Sequence, residues 1–179
     1  MIEFFKYHPL IEVPDFFSEI YAFIESADGT KSFQQKHYPD HFSPEFISKF
    51  KPWFEQLIGA KISGPSRGCV NITKFTGVNN EVPWHDEGGF DNGIKDQHSG
   101  SGEPQVNTDK EFMCFFWLAS DHGHGGAFRF INDNTAELGV VELDPPGFLL
   151  ATKYTLHSVE RYSSQQFRMG FTIDFSVDQ

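Results

Sequence analysis

Cationic charge is scarce in this chain. Against 25 aspartates and glutamates stand 14 lysines and arginines, a formal net charge of -11, whereas a phosphate backbone is bound by a basic surface. No nucleic-acid partner is expected. Long apolar runs are missing too: no stretch approaches the roughly 18 residues that a transmembrane helix needs, so no membrane partner is expected either. The start, Met1-Ile2-Glu3-Phe4-Phe5-Lys6, contains an acid and no small-residue cleavage site, which makes it a poor secretory signal. Cysteine is limited to Cys69 and Cys114. Both sit in apolar, strand-like runs where buried free thiols are common. The expectation is reduced, structural thiols in a cytoplasmic protein. No internal repeat is visible, and nothing in the chain specifies an oligomeric state.

Phenylalanine, by contrast, is abundant, with 21 copies in 179 residues. The length fits one domain with a substantial core. Residues 1–62 read as a helical cover. Asp15 is expected to cap a helix carrying Phe16, Phe17, Ile20, Phe23 and Ile24 on one face. Ser43-Pro44 is a cap followed by proline at the first helical position, opening a second stripe of Phe46, Ile47, Phe50, Phe54, Leu57 and Ile58. Pro52 interrupts that stripe and predicts a kink or a restart. Residues 63–179 change period. Short strands are expected at Cys69–Phe75, Val82–Glu87, Phe112–Ala119, Gly126–Ile131, Gly139–Leu143, Gly147–Thr152 and Phe167–Phe175. Turn chemistry separates them, so the fold class is mainly β, a sandwich or jelly-roll barrel under helices. Residues 88–110 hold almost no apolar side chain. A segment that long without structure of its own reads here as a lid.

Chemistry concentrates at His85-Asp86-Glu87. Side chains at i and i+2 of a strand share a face, so His85 and Glu87 can hold one ion while Asp86 points away. A lone H-x-E is common and carries little weight. The pattern gains meaning from His157 and Arg168 downstream. Two imidazoles and a carboxylate form the facial set of non-haem Fe(II) oxygenases, though catalytic zinc accepts the same set. Arg168 tips the choice to iron. In Arg168-Met169-Gly170-Phe171-Thr172-Ile173-Asp174-Phe175, alternation puts Arg168, Gly170 and Thr172 on one face and the apolar residues on the other. A buried guanidinium without an anion is costly, and a carboxylate ligand explains it.

From about Gly68 to Phe175 the chain resembles the 2-oxoglutarate/Fe(II)-dependent dioxygenases, most closely their prolyl-4-hydroxylase-like branch. The shared motifs are His85, Glu87, His157 and Arg168 in order, with Gly125-Gly126-Ala127-Phe128-Arg129-Phe130, Pro146-Gly147-Phe148-Leu149-Leu150 and Leu156-His157-Ser158-Val159. The resemblance implies a double-stranded β-helix (jelly-roll, cupin-like) barrel and Fe(II) held by His85, Glu87 and His157. It further implies 2-oxoglutarate as co-substrate, held by Arg168 and assisted by Thr172 and Trp117, with O2 as oxidant and ascorbate in support. The chain departs from the branch at Glu87, where many members have Asp, at Phe75, which replaces a strand tyrosine, and at Trp117, where a second pocket tyrosine is expected.

The implied reaction is hydroxylation of an unactivated C–H bond. The nearest resemblance points to a prolyl residue of a peptide or protein, with a free amino acid or small metabolite as the alternative. A non-catalytic, cupin-like metal-binding protein is the competing class, and Arg168 argues against it. Candidate substrate-pocket residues are Asn71, Phe75, Trp84 and Arg129, with Lys74 as a further residue of that side. His122 and His124 read as a glycine-rich turn, His98 as solvated, and Arg161 as a weaker rival to Arg168.

Overall fold

The computed structural model describes residues 2–26, 33–38, 42–73, 77, 81–86, 90–91, 94–95, 111–121, 123–142 and 144–178, with the backbone alone described at 24–25, 33–38, 66–69, 90–91 and 94–95. Two helices lead. Helix α1, Ser18–Glu25, continues from a 3-10 turn at Asp15–Phe17. Asp15 is not the cap that the sequence suggested. Pro14 occupies the cap position without a side-chain hydrogen bond, and Asp15 lies inside the turn. Helix α2, Pro44–Ile58, starts as expected: Ser43 Oγ accepts from the Phe46 N–H at 3.0 Å, and Pro44 opens the first turn. Glu19 of α1 ties the two helices by accepting from the Ser43 N–H at 2.8 Å and from its hydroxyl. Pro52 brings no restart, and α2 is one helix across it. Phe46 and Phe50 before it and Phe54 and Ile58 after it are all buried, and packing on both sides outweighs the one hydrogen bond that proline removes.

The strands in chain order are β1 Tyr7–Pro9, β2 Phe33–Tyr38, β3 Ile62–Thr73, β4 Val82–His85, β5 Phe90–Asp91, β6 Ile94–Lys95, β7 Glu111–Ala119, β8 Phe128–Ile131, β9 Leu138–Val141, β10 Gly147–Thr152, β11 His157–Val159 and β12 Arg168–Val177. Among the described residues they make two antiparallel sheets, a major one in the order β1-β10-β7-β12-β3-β2 and a minor one in the order β6-β5-β4-β11-β8-β9. This is the jelly-roll expected from the alternating pattern. The first 62 residues also supply β1 and β2, which the helical reading did not anticipate. Neither is legible as a strand, because β1 spans three residues and β2 is largely polar; each pairs by backbone along an edge of the major sheet. The pair β5 and β6 falls within residues 88–110, and the rest of that expected lid lies outside the described residues.

The major sheet has two buried faces. Cys114, Phe116 and Leu118 of β7, Phe148 and Leu150 of β10, and Met169, Phe171, Ile173 and Phe175 of β12 pack against Phe17, Phe46, Phe50 and Phe54 from the helical layer. The intervening residues Met113, Phe115, Trp117, Leu149 and Ala151 point the other way and meet Phe128, Phe130 and Val141 of the minor sheet. Strand periodicity alone sorts these side chains into two cores. Burial in the first of them pushes the Cys114 thiol well above its usual range, so it stays protonated. Among the described residues, no helix is long and apolar enough to cross a membrane.

Candidate functional site

Strands β4 and β11 are neighbours, and their register sets His85 opposite His157. The two ring centroids are 4.2 Å apart. Each ring is turned by its own backbone: His85 Nδ1 lies 2.8 Å from the Pro83 carbonyl and His157 Nδ1 lies 2.9 Å from that of Thr155. A carbonyl oxygen only accepts, so both Nδ1 atoms carry the proton. In the neutral ring this leaves the lone pair on Nε2, the tautomer in which histidine serves as a metal ligand. His157 is only 3% exposed, with the rings of Phe115 and Phe128 at 5.0 and 5.4 Å. Burial, followed by the charge of His85, pulls its pKa down to about 3 against a small opposing pull from the Thr155 carbonyl. The ring is neutral, and a cation need not displace a proton from it at neutral pH. Thr155 is itself fixed, its hydroxyl donating at 2.8 Å to Asp133, whose carboxylate also accepts from Thr152.

These imidazoles open on a cavity of about 110 Å³ between the sheets. Its walls include Asn71 and Thr73 of β3, Phe115 and Trp117 of β7, Phe128 of β8, and Arg168, Gly170 and Thr172 of β12. Register explains the company: Gly170 pairs with Asn71 on one side and Trp117 on the other, and Arg168 pairs with Thr73. Arg168 is 6% exposed, and its Nε has no hydrogen-bond partner among the described residues. Burial pushes the guanidinium down to about 10, partly offset by Tyr162 beside it. Removing a cation from water without a partner costs several kcal/mol in effect. A carboxylate accepts such a donor well, and the guanidinium stays charged at neutral pH to meet it.

The cavity therefore brings together His85, His157, Arg168, Thr172, Trp117 and Asn71 from the sequence-based set. Glu87 and Phe75, like Lys74, His98 and His122, lie outside the described residues. Among the described residues no third His, Cys, Asp or Glu joins the two imidazoles. Trp84 and Arg129 are not brought to the cavity wall. Arg129 alternates with the inward Phe128 and Phe130, so it lies on the outer face of the minor sheet over the Trp84 ring, 5.6 Å from its centroid. There it donates to Ser158 Oγ at 3.0 Å and pairs with Glu81 and Glu160 at 3.3 and 3.7 Å. Arg161 is exposed, and His124 is a surface turn residue 3.5 Å from Asp121. Sequence reasoning missed Tyr162, which is fully buried and lines the cavity. Its polar neighbours Arg161, Ser163 and Ser164 gave it the look of a surface turn, and no local period marks it.

No model of a known protein family matches this chain, and no curated protein matches it in sequence. Solved structures do match its fold. The chain is similar to the non-heme alpha ketoglutarate dependent carbocyclase SnoK from nogalamycin biosynthesis, at 11% identity and a TM-score of 0.64, covering 95% of this chain and 78% of SnoK. It is similar to HygX from Streptomyces hygroscopicus, solved with nickel and 2-oxoglutarate bound, at 10% identity and a TM-score of 0.60, covering 95% and 81%. A Pseudomonas putida prolyl-4-hydroxylase matches at 10% identity and a TM-score of 0.59, over 97% of this chain and 92% of that one. The fold is thus the double-stranded β-helix that 2-oxoglutarate/Fe(II) oxygenases share.

Proposed function

We propose that this protein is an Fe(II)- and 2-oxoglutarate-dependent dioxygenase that hydroxylates an unactivated C–H bond. One observation carries the reading: two imidazoles whose Nδ1 atoms are engaged by backbone carbonyls share a cavity with a buried guanidinium whose Nε is unpartnered. A dicarboxylate that chelates a metal at one end and needs a cation at the other fits that pairing. His85 and His157, with Glu87, are the proposed metal ligands. Arg168 is proposed to hold the far carboxylate, with Thr172 and the Trp117 indole N–H as further donors to the co-substrate. When bound, iron and 2-oxoglutarate together supply the activation of O2.

The chain's own contribution is positional. Backbone carbonyls of Pro83 and Thr155 hold protons at the two Nδ1 atoms and so aim both Nε2 atoms. Phe115 and Phe128 keep water from His157, which strengthens every charge interaction beside it. Arg168 orients the co-substrate by a paired, charge-assisted hydrogen bond.

For the substrate we favour a prolyl residue in a peptide or protein. The ordered motifs from His85 to Arg168 and the overlap with the Pseudomonas putida prolyl-4-hydroxylase over nearly the whole of both chains support it. A free amino acid or small metabolite is the second reading, supported by the likeness to SnoK from nogalamycin biosynthesis. The test is release of succinate from 2-oxoglutarate by purified protein with Fe(II), ascorbate and O2. Products 16 mass units heavier, sought in proline-containing peptides and in a metabolite panel, separate the two substrate readings. Absence of succinate under all these conditions contradicts the oxygenase reading.

A further inference from the structure

Behind Arg168 two loops are stitched together. The Gly126 N–H donates to the Arg161 carbonyl at 3.1 Å, and the Ser163 N–H and hydroxyl both donate to the His124 carbonyl at 2.8 Å. Ser164 donates to the Asp121 carboxylate, and Gly125 forms a bridge with Tyr162. The Tyr162 hydroxyl accepts from the Asp121 N–H at 2.9 Å. Both ends of Tyr162 are thereby fixed, its backbone to Gly125 and its hydroxyl to Asp121.

Gly126 sits where this ring meets the arginine. Its φ is +78°, and a Cβ there would lie 3.1 Å from Arg168 Cδ, 3.3 Å from Arg168 Nε and 3.2 Å from Tyr162 Cδ2. Each approach is too tight by a few tenths of an ångström. Tyr162 is fully buried and fastened at both ends, whereas Arg168 is a flexible chain bordering a cavity. Any side chain at 126 must therefore push Arg168 toward the space the co-substrate would use.

We propose that Gly126 and Tyr162 are positioning residues for Arg168, a rigid cradle that sets where the guanidinium meets the far carboxylate of a 2-oxo acid. The proposal rests on the oxygenase reading above. Gly123 provides an internal control. Its φ of +81° imposes the same backbone strain in the same loop, yet nothing lies within 4 Å of a Cβ built there.

The experiment is anaerobic calorimetric titration of Fe(II)-loaded wild type, Gly126→Ala, Tyr162→Phe and Gly123→Ala with 2-oxoglutarate and, separately, with pyruvate, which lacks the far carboxylate. Fe(II) affinity is measured for each protein. We expect the 2-oxoglutarate Kd to rise about tenfold in Gly126→Ala and about threefold or more in Tyr162→Phe. Pyruvate and Fe(II) affinities stay within about twofold throughout, and Gly123→Ala matches wild type. Equal weakening in Gly126→Ala and Gly123→Ala, or parallel loss of pyruvate affinity, overturns the cradle and leaves the glycine a purely structural role. Should Gly126→Ala not fold, Tyr162→Phe decides alone, and unchanged 2-oxoglutarate affinity there overturns the proposal. A wild-type protein that binds Fe(II) but no 2-oxoglutarate defeats the oxygenase reading first, and the cradle with it.

Discussion

The two faces of the major sheet are built from the same strands and do opposite work. Toward the helices, β7, β10 and β12 present Cys114, Phe116, Leu118, Phe148, Leu150, Met169, Phe171, Ile173 and Phe175, all buried in one apolar mass. Toward the minor sheet, one residue over, β3 and β12 present Asn71, Thr73, Arg168 and Thr172 around a cavity. One residue of strand separates a filled core from a face whose apolar cluster gives way to a cavity with polar walls. The helical face gains its stability from area removed from water. The inner face gives some of that up, holding a buried guanidinium with an unpartnered Nε across the cavity from the neutral His157 imidazole of the minor sheet. Substitutions on the first face should therefore change folding, and those on the second should change ligands.

The largest expected effect is at the cavity, on the minor-sheet side. His157→Ala should lower Fe(II) affinity by about a thousandfold or more, because one of two inward Nε2 atoms is lost; equilibrium dialysis under argon measures it. On the helical face, Phe116→Ala should cost about 3–5 kcal/mol of stability while the folded fraction keeps its 2-oxoglutarate affinity. Chemical denaturation paired with ligand titration checks both halves.

The pH dependence sharpens the contrast within the metal-free protein. The folded pKa of His157 is lowered to about 3 from an ordinary 6.5. The unfolded chain therefore binds a proton as pH falls through about 6.5, and the folded one does not until about 3. Stability from this residue is complete above that window and declines through it, by on the order of 5 kcal/mol. His157→Gln should remove that part of the acid limb in denaturation curves recorded from pH 7 to 4. Identical curves would contradict the assignment.

Smaller shifts follow. Arg168→Met should weaken 2-oxoglutarate binding by about a hundredfold without loss of stability, since a poorly compensated buried charge is replaced by an apolar chain of similar length. A large drop in Tm would show that Arg168 holds the fold instead. Arg129→Met, on the outer face, should leave 2-oxoglutarate affinity within about twofold, and any stronger effect would mean that Arg129 acts on the cavity through its partner Glu160, which lines it.

Much of this contrast was legible in the chain. Alternation in Arg168–Phe175 predicts which residues face inward, and the resemblance to the prolyl-4-hydroxylase-like branch pointed to Trp117. Ser43-Pro44 announces its helix. What escaped reading depends on partners distant in sequence. Strand β1 is defined by its pairing with β10 and β2 by its pairing with β3, rather than by any apolar period of their own. Asp15 has the chemistry of a cap, but the chain enters α1 through a 3-10 turn one step earlier. Pro52 breaks a helix by local rules and is overridden by burial on either side of it. Arg129 and Trp84 were candidates for the substrate side, but each alternates with an inward-facing neighbour in its strand and lies on the opposite face. Tyr162 shows the converse: a residue in polar company becomes part of the cavity when two loops close over it.

The central claim is that the cavity between the two sheets holds a metal and a 2-oxo dicarboxylate together. Anaerobic addition of 2-oxoglutarate to the Fe(II)-loaded protein, followed by visible absorption, tests it most directly. The account predicts a saturable band in wild type, absent from His157→Ala and Glu87→Ala and requiring far more 2-oxoglutarate in Arg168→Met. No band in a wild-type protein shown to bind Fe(II), or a lower 2-oxoglutarate requirement in Arg168→Met than in Arg161→Ala, would contradict it.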